Sequence, residues 1–182
     1  MVFQSYSSYP WLTVLDNVAF GLMLRGVPPR DREAAARNWI KKVGLEGTEK
    51  KYPRQLSGGM RQRVAIARTL AARPQIILMD EPFGALDVQT RLGMQNLINE
   101  LWEEIEGTIL FVTHDIAEAV YLADKIHILS ANPGTIVDEI TVDLPLHRTE
   151  DLKNTARFRE LETVVLDKIR KQAKGGNLRI TT

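Results

Sequence analysis

Apolar positions follow three rhythms along this 182-residue chain. In the first third they recur every three or four residues. Val14, Val18 and Leu22, with Leu15 and Met23 beside them, follow Thr13 and Asp16, a T-x-x-D start signal for a helix. That helix is expected to stop at Gly26, ahead of Pro28 and Pro29. A second helix is expected from Pro29 to Val43, with Ala35, Trp39, Ile40 and Val43 on one side and Gly44 as its stop. Beyond a polar loop through Lys50, Lys51 and Pro53, the positions Met60, Val64, Ala67 and Ala71 predict a third helix. It opens directly on Ser57-Gly58-Gly59, and Arg61, Gln62 and Arg63 form its polar face.

The second rhythm is continuous. Ile76-Ile77-Leu78-Met79 is a short apolar run closed by Asp80-Glu81-Pro82, the pattern of a strand buried on both faces of a parallel sheet. Thr108-Ile109-Leu110-Phe111-Val112 repeats it and ends in Thr113-His114-Asp115, with a helix carrying Leu92, Leu97, Ile98, Leu101 and Ile105 in between. Strand, helix, strand implies a right-handed parallel crossover. A capped helix opens on Asp115 and Glu118 and runs through Val120 and Leu122, and Lys125 to Leu129 is a third strand. Alternation, the third rhythm, marks Ile136 to Val142 as a strand beyond an Asn132-Pro133-Gly134 turn, and residues 150–173 read as an amphipathic helix. The predicted order is helices first, then βαβαβ, without low-complexity linkers or internal repeats, and its functional groups belong at the strand C-termini.

Composition narrows the class without naming it. Hydrophobic residues make up 44% and charged residues 26%, as in an ordinary globular protein. The length suits one domain, or a core with a small subdomain. With no cysteine there is neither a disulfide framework nor a thiolate metal site, which fits a reducing compartment. The longest apolar runs fall far short of the roughly 20 residues that span a bilayer, and Met1-Val2-Phe3-Gln4-Ser5 lacks a charged n-region and an apolar h-region. A net charge of +1 leaves no electrostatic footprint for nucleic acid, so no nucleic-acid partner is expected.

Two short segments carry chemistry. Asp80-Glu81 at a strand end is the acidic pair expected where a metal-bound nucleoside triphosphate is hydrolysed, one carboxylate positioning Mg²⁺ and the other polarising a water. An Asp-Glu pair also commonly forms a solvated turn or cap. Leu56-Ser57-Gly58-Gly59-Met60-Arg61-Gln62-Arg63 offers backbone N–H groups, a serine hydroxyl and a helix dipole to an anion, or a serine-capped turn and nothing more. His127 lies in a predicted strand and His147 in a polar loop, neither with a carboxylate at ligand spacing.

Taken together, LSGGMRQRVAIARTLAARPQIILMDEPFGALD resembles the signature helix, Walker B strand and D-loop of ABC ATPases, and Thr113-His114-Asp115 resembles their switch-histidine loop. The resemblance implies an α/β, P-loop NTPase-like partial domain: a helical signature subdomain over residues 5–72, a βαβ parallel-sheet core with Walker B and the switch histidine over 73–145, and a C-terminal helix and tail over 146–182. It implies ATP and Mg²⁺ as cofactors, Asp80 as the aspartate near Mg²⁺, Glu81 as general base and His114 as γ-phosphate sensor. Gln4, in a Phe3-Gln4-Ser5 segment that resembles the Q-loop, would touch both the Mg²⁺ shell and the hinge of the helical subdomain. The catalytic site of the family is shared by two subunits, so Ser57, Gly58, Gly59 and Met60 would serve ATP held by the opposite protomer of a homodimer, and Asp87 would cross the dimer interface.

Tyr9-Pro10-Trp11-Leu12-Thr13-Val14-Leu15-Asp16-Asn17-Val18 is similar to the segment with which the family seats a helix of its membrane permease subunits. Trp11 is either an exposed anchor there or a core residue of the helical subdomain; Trp39 and Trp102 belong to the core. Pro10-Trp11, the stretch Asn132-Pro133-Gly134-Thr135-Ile136-Val137 and Asp143-Leu144-Pro145 look most like importers of nitrate, sulfonate and taurine. Such a subunit would sit peripherally on the cytoplasmic face of the cell membrane and meet a solute-binding protein only indirectly. A soluble ABC ATPase of repair or translation fits less well, given the permease-seating segment and the lack of basic excess.

No G-x-x-x-x-G-K-[ST] occurs in the 182 residues. The expectation is therefore a chain truncated before the Q-loop, with very weak ATP binding of its own, because nothing else compensates the triphosphate charge near Asp80 and Glu81. The alternative is a non-catalytic short form that supplies its signature segment in trans to a full-length partner.

Overall fold

The first helix starts where its cap is: the Thr13 side chain accepts from the Asp16 amide, and α1 (Val14–Leu24) follows. It ends as Gly26 turns to φ 74°, a backbone conformation costly for residues with a Cβ. Proline at the first helical position starts α2 (Pro29–Lys42), and Gly44 at φ 69° closes it. In this computed structural model the described residues are 1–2, 8–102, 105, 107–131 and 133–175. They fall into two compact units, Met1–Val112 and Thr113–Thr182.

In the first unit α1, α2 and α3 (Gly58–Ala71) pack against one another. Val14, Val18, Ala36, Ile40, Val43, Val64 and Ala67 are fully buried between them, each valine or isoleucine contributing on the order of 1.5–3 kcal/mol. A Cβ on Gly21 would stand 3.0 Å from the Ala72 Cβ, so glycine lets α1 approach the end of α3. Trp39 is buried, whereas Trp102 is only half-buried.

β1 (Ile76–Asp80) and β2 (Thr108–Val112) pair in parallel around α4 (Val88–Trp102), in the register Ile76↔Thr108 to Asp80↔Val112. Val2 adds a bridge on the other side of β1: its amide donates to the Leu78 carbonyl at 2.8 Å and its carbonyl accepts from Asp80 at 2.9 Å. The βαβ core is as expected, but β1 is not buried on both faces. Ile77 and Met79 are fully buried, while Ile76 is 71% exposed and, on the same face of β2, Leu110 is 55% exposed. Alternate strand residues point to opposite sides, and only one side is covered.

The second unit contains α5 (Ile116–Leu122), β3 (Lys125–Leu129), β4 (Ile136–Thr141) and α6 (Ala156–Gly175). Here β3 does not extend the parallel sheet; among the described residues it pairs antiparallel with β4. Its alternate residues Ile126 and Ile128 pack with Ile140, Val120 and Tyr121 against Phe158, Leu161 and Val165 of α6. Arg148 is buried beside α5, donating to the carbonyls of Tyr121, Ala123 and Pro145 at 2.9–3.1 Å, while the Tyr121 hydroxyl donates to the Arg148 carbonyl at 3.0 Å. With Nη2 donating to Asp124 Oδ1 at 3.2 Å, each nitrogen of the costly buried guanidinium has a partner.

Candidate functional site

The C-terminal end of β1 delivers the two carboxylates. Asp80 closes the strand opposite Val112, and the next amide, that of Glu81, donates to the Val112 carbonyl at 2.9 Å. Glu81 then takes φ 40°, a left-handed conformation that costs a side-chain-bearing residue roughly 1–2 kcal/mol. Pro82 and Phe83 are buried, and the Phe83 ring lies 5.6 Å from that of Phe111 on β2. The turn is thus fastened to the sheet on both sides of Glu81, and the acidic pair is held where open parallel sheets present their functional groups.

Among the described residues no group of three or more His, Cys, Asp or Glu could hold a metal by itself. Two carboxylates at a strand end suit Mg²⁺, which takes one or two such ligands and fills its octahedron with phosphate oxygens and water. His127 Nδ1 lies 3.5 Å from Glu139 Oε2 in the exposed part of the β3–β4 pair, an ordinary ion-pair setting.

The second element of the site is the start of α3. Ser57 caps it, its hydroxyl accepting from the Met60 amide at 3.3 Å. The amides of Gly58 and Gly59 in the first turn have no intrahelical acceptor, and the helix dipole adds partial positive charge at this end. Ser57 is exposed and Gly58, Gly59 and Met60 are half-buried, so the turn is open to an anion. A Cβ on Gly59 would lie 2.4 Å from Thr90 Cγ2 on α4, so glycine is required here by the neighbouring helix.

Asp87 precedes α4, and its carboxylate accepts from the Thr90 amide at 3.0 Å. Hydrogen bonds from the Thr90 side chain and then its backbone hold the Asp87 carboxyl below its ordinary range. Asp80 and Glu81, the Ser57–Met60 turn and Asp87 all lie in the first unit. His114 belongs to the second. It is exposed, in a turn where the Asp115 amide donates to Thr113 Oγ1 at 3.0 Å and Asp115 caps α5 through the Glu118 amide at 3.1 Å. Gln4 lies outside the described residues, as do Phe3 and Ser5.

The aromatic segment before α1 is organised by a residue that the periodicity did not single out. Asn17 is fully buried; its Oδ1 accepts from the Tyr9 amide at 2.7 Å, and its Nδ2 lies 2.9–3.1 Å from the carbonyls of Tyr9, Leu12 and Thr13. The Tyr9 ring sits 4.6 Å from Phe20 and 5.6 Å from Trp11, with the Arg68 guanidinium 4.8 Å over it. Trp11 itself is 70% exposed, which decides between anchor and core in favour of the surface. The available signal was a polar residue between Val14 and Val18 on the buried side of a helix.

A family model described as ABC transporter matches residues 1–84. The chain is 51% identical over 164 residues to the nitrate import ATP-binding protein NrtD of Synechocystis sp., covering 87% of this chain and 62% of that protein. It is 45% identical over 177 residues to the taurine import ATP-binding protein TauB of Escherichia coli K12, covering 94% and 69% respectively. Among solved structures, the ATP-binding cassette MJ0796, a dimer in a post-hydrolysis state bound to ADP and Pi, matches 79% of this chain and 62% of its own with a TM-score of 0.66 at 37% identity. Fold and strand-end carboxylates together define a partial P-loop NTPase-like α/β domain. With relatives this similar over this much of their length, the chain belongs to the ABC transporter family. It spans 62% and 69% of the length of the two curated importer subunits. No helix among the described residues is long and apolar enough to cross a membrane.

Proposed function

We propose that this chain is part of the ATP-hydrolysing subunit of an importer for nitrate, sulfonate, taurine or a similar small anionic or zwitterionic solute. The single observation that carries this reading is a serine-capped glycine turn and a strand-end Asp80-Glu81 pair within one unit of an ABC-type fold. Nitrate and taurine come from the names of the relatives. When bound, Mg²⁺ supplies charge neutralisation on the phosphates of ATP.

Asp80 holds the hydrated metal, and Glu81, on its strained turn, accepts the proton of the attacking water. On the family resemblance alone, His114 is read as the γ-phosphate sensor and Gln4 as the group that reaches the metal shell. Ser57, Gly58, Gly59 and Met60 donate to the triphosphate held by a second copy of the subunit, and Asp87 crosses between the two copies. Residues 5–72, 73–145 and 146–182 then divide the work into signature subdomain, catalytic core and C-terminal helix. The exposed Trp11, its ring tilted 5.6 Å from that of Tyr9, seats the permease subunits at the cytoplasmic face of the membrane, through which a solute-binding protein is met indirectly.

The test is phosphate release by a longer polypeptide that carries a G-x-x-x-x-G-K-[ST] upstream of residue 1. Glu81→Gln should lower its kcat by a factor on the order of 10² or more and leave ATP binding intact; unchanged turnover would refute the role of Glu81. A second reading rests on the open Ser57–Met60 turn, with Ser57 exposed: the chain lends that turn to a full-length partner. It requires that mixing the two change the partner's ATPase rate or oligomer size.

A further inference from the structure

A buried cation that the proposed function does not use, Arg148, is only 7% exposed and meets the end of the short helix that follows His114. α5 has seven residues. Helices shorter than about 12–15 residues hardly hold themselves together in water, so the place of α5 depends on what grips it. The carbonyls of a helix's last turn lack partners within the helix and carry partial negative charge. Arg148 Nη1 donates to the Tyr121 carbonyl at 3.1 Å and to that of the cap residue, Ala123, at 2.9 Å. Its Nε donates to the Pro145 carbonyl at 3.1 Å and its Nη2 to Asp124 Oδ1 at 3.2 Å. A planar guanidinium engaged through all three nitrogens is a stiff joint, and a lysine cannot reproduce its fork.

The grip runs in both directions through Tyr121, which is fully buried. Its carbonyl accepts from Arg148, its hydroxyl donates to the Arg148 carbonyl at 3.0 Å, and the Lys153 ammonium sits 4.2 Å over its ring. Backbone, hydroxyl and ring face of one residue thus meet residues 148 and 153. The same ring and Val120 share a core with Phe158, Leu161 and Val165 of α6. At the other end of these two turns, Asp115 caps α5 through the Glu118 amide at 3.1 Å, and the Asp115 amide donates to Thr113 Oγ1 at 3.0 Å. His114 stands between Thr113 and Asp115, so these bonds tie both of its neighbours to the start of the helix.

We propose that Arg148 and Tyr121 form a clasp that positions His114: the segment around Arg148 grips the C-terminal end of α5, and the capped helix carries that placement to the histidine at its start. Both act through His114 and are positioning residues. The proposal rests on the reading of His114 as the γ-phosphate sensor.

The experiment uses the longer, hydrolysis-competent subunit and three substitutions. Tyr121→Phe removes the hydroxyl that holds the Arg148 carbonyl, and Arg148→Lys keeps the charge but loses the fork. Val165→Ala trims the same core at a side chain without hydrogen-bonding groups and controls for general destabilisation. Each clasp variant should lower kcat by roughly tenfold with KM for ATP within about twofold. Val165→Ala should lower the melting temperature and leave kcat per folded subunit unchanged. As a readout independent of turnover, amide hydrogen exchange in the clasp variants should accelerate over residues 114–119 by roughly tenfold more than over β3 and β4. A merely structural role would raise it evenly across the unit. Should Arg148→Lys not fold, Tyr121→Phe, which leaves the guanidinium in place, decides alone. Wild-type kcat in every clasp variant that folds, an equal loss in Val165→Ala, or an even rise in exchange overturns the proposal. His114→Ala separates this from the reading beneath it: if that variant hydrolyses ATP normally, the sensor role of His114 is wrong and the clasp has nothing to position, whereas if it is inactive while the clasp variants turn over normally, only the positioning fails.

Discussion

Glu81 occupies φ 40° because its amide is bound to Val112 on one side and Phe83 is buried against Phe111 on the other. A left-handed φ is costly for a residue with a Cβ and costs glycine almost nothing. Glu81→Gly is expected to raise the unfolding free energy by about 1 kcal/mol while abolishing hydrolysis, as read by urea denaturation and phosphate release; a less stable variant would show that the turn depends on the side chain. At Asp87, the hydrogen bonds from Thr90 favour the ionised form and hold the carboxyl below its ordinary 3.8. The stabilisation is therefore fully present above that ordinary value and is lost as pH falls through the lower folded-state value. In Thr90→Val the Asp87 pKa should move back up, and the acid limb of the stability curve should shift to higher pH. Carbon NMR titration of the Asp87 carboxyl measures the shift, and an unmoved pKa would mean that the Thr90 hydroxyl is not its partner.

Among the elements, the segment leading into α1 shows how one polar side chain sets a surface. From a fully buried position Asn17 supplies a partner to the Tyr9 amide and the Leu12 carbonyl and a second one to the Tyr9 and Thr13 carbonyls. Asn17→Ala is expected to destabilise the protein by about 2 kcal/mol, since it leaves the part-buried Tyr9 amide and Leu12 carbonyl without the partner Asn17 supplies. If the segment is the permease seat, the same variant should weaken permease capture more than Trp39→Phe, which thins the buried face of α2. Equal loss in the two variants would show that general destabilisation, not the shape of the segment, controls docking.

For the whole chain, the consequence is uneven coverage of the β1–β2 pair. Ile76, Leu110 and Val112 expose 71%, 55% and 44% of their surface on one face, and exposed apolar area of this kind drives association. The 182-residue polypeptide by itself should self-associate with rising concentration in light scattering, and Leu110→Lys should suppress it. A monodisperse wild type at high concentration would contradict this. The second unit carries its own core around Tyr121 and Phe158, joined by the Arg148 bonds, so the stability of the helix that follows His114 is set largely by residues near the C-terminal end of the described chain.

Local signals in the sequence determined where helices begin and end. Thr13 and Ser57 accept from the amide three residues on, and Gly26 and Gly44 take positive φ, because capping and glycine conformational freedom act within one turn of chain. The same short-range logic made the strands at Ile76 and Thr108 legible, together with the carboxylates and the glycine turn that carry the family motifs. What lies far apart in sequence was decided only by the fold. The tertiary structure chose β4 as the partner of β3, left one face of β1 bare, put Trp11 at the surface and brought Thr90 of α4 against Gly59 of α3. Pairing, burial and close approach depend on which remote segments arrive beside a residue, and an apolar run or a lone threonine reads the same in sequence whichever neighbour it meets.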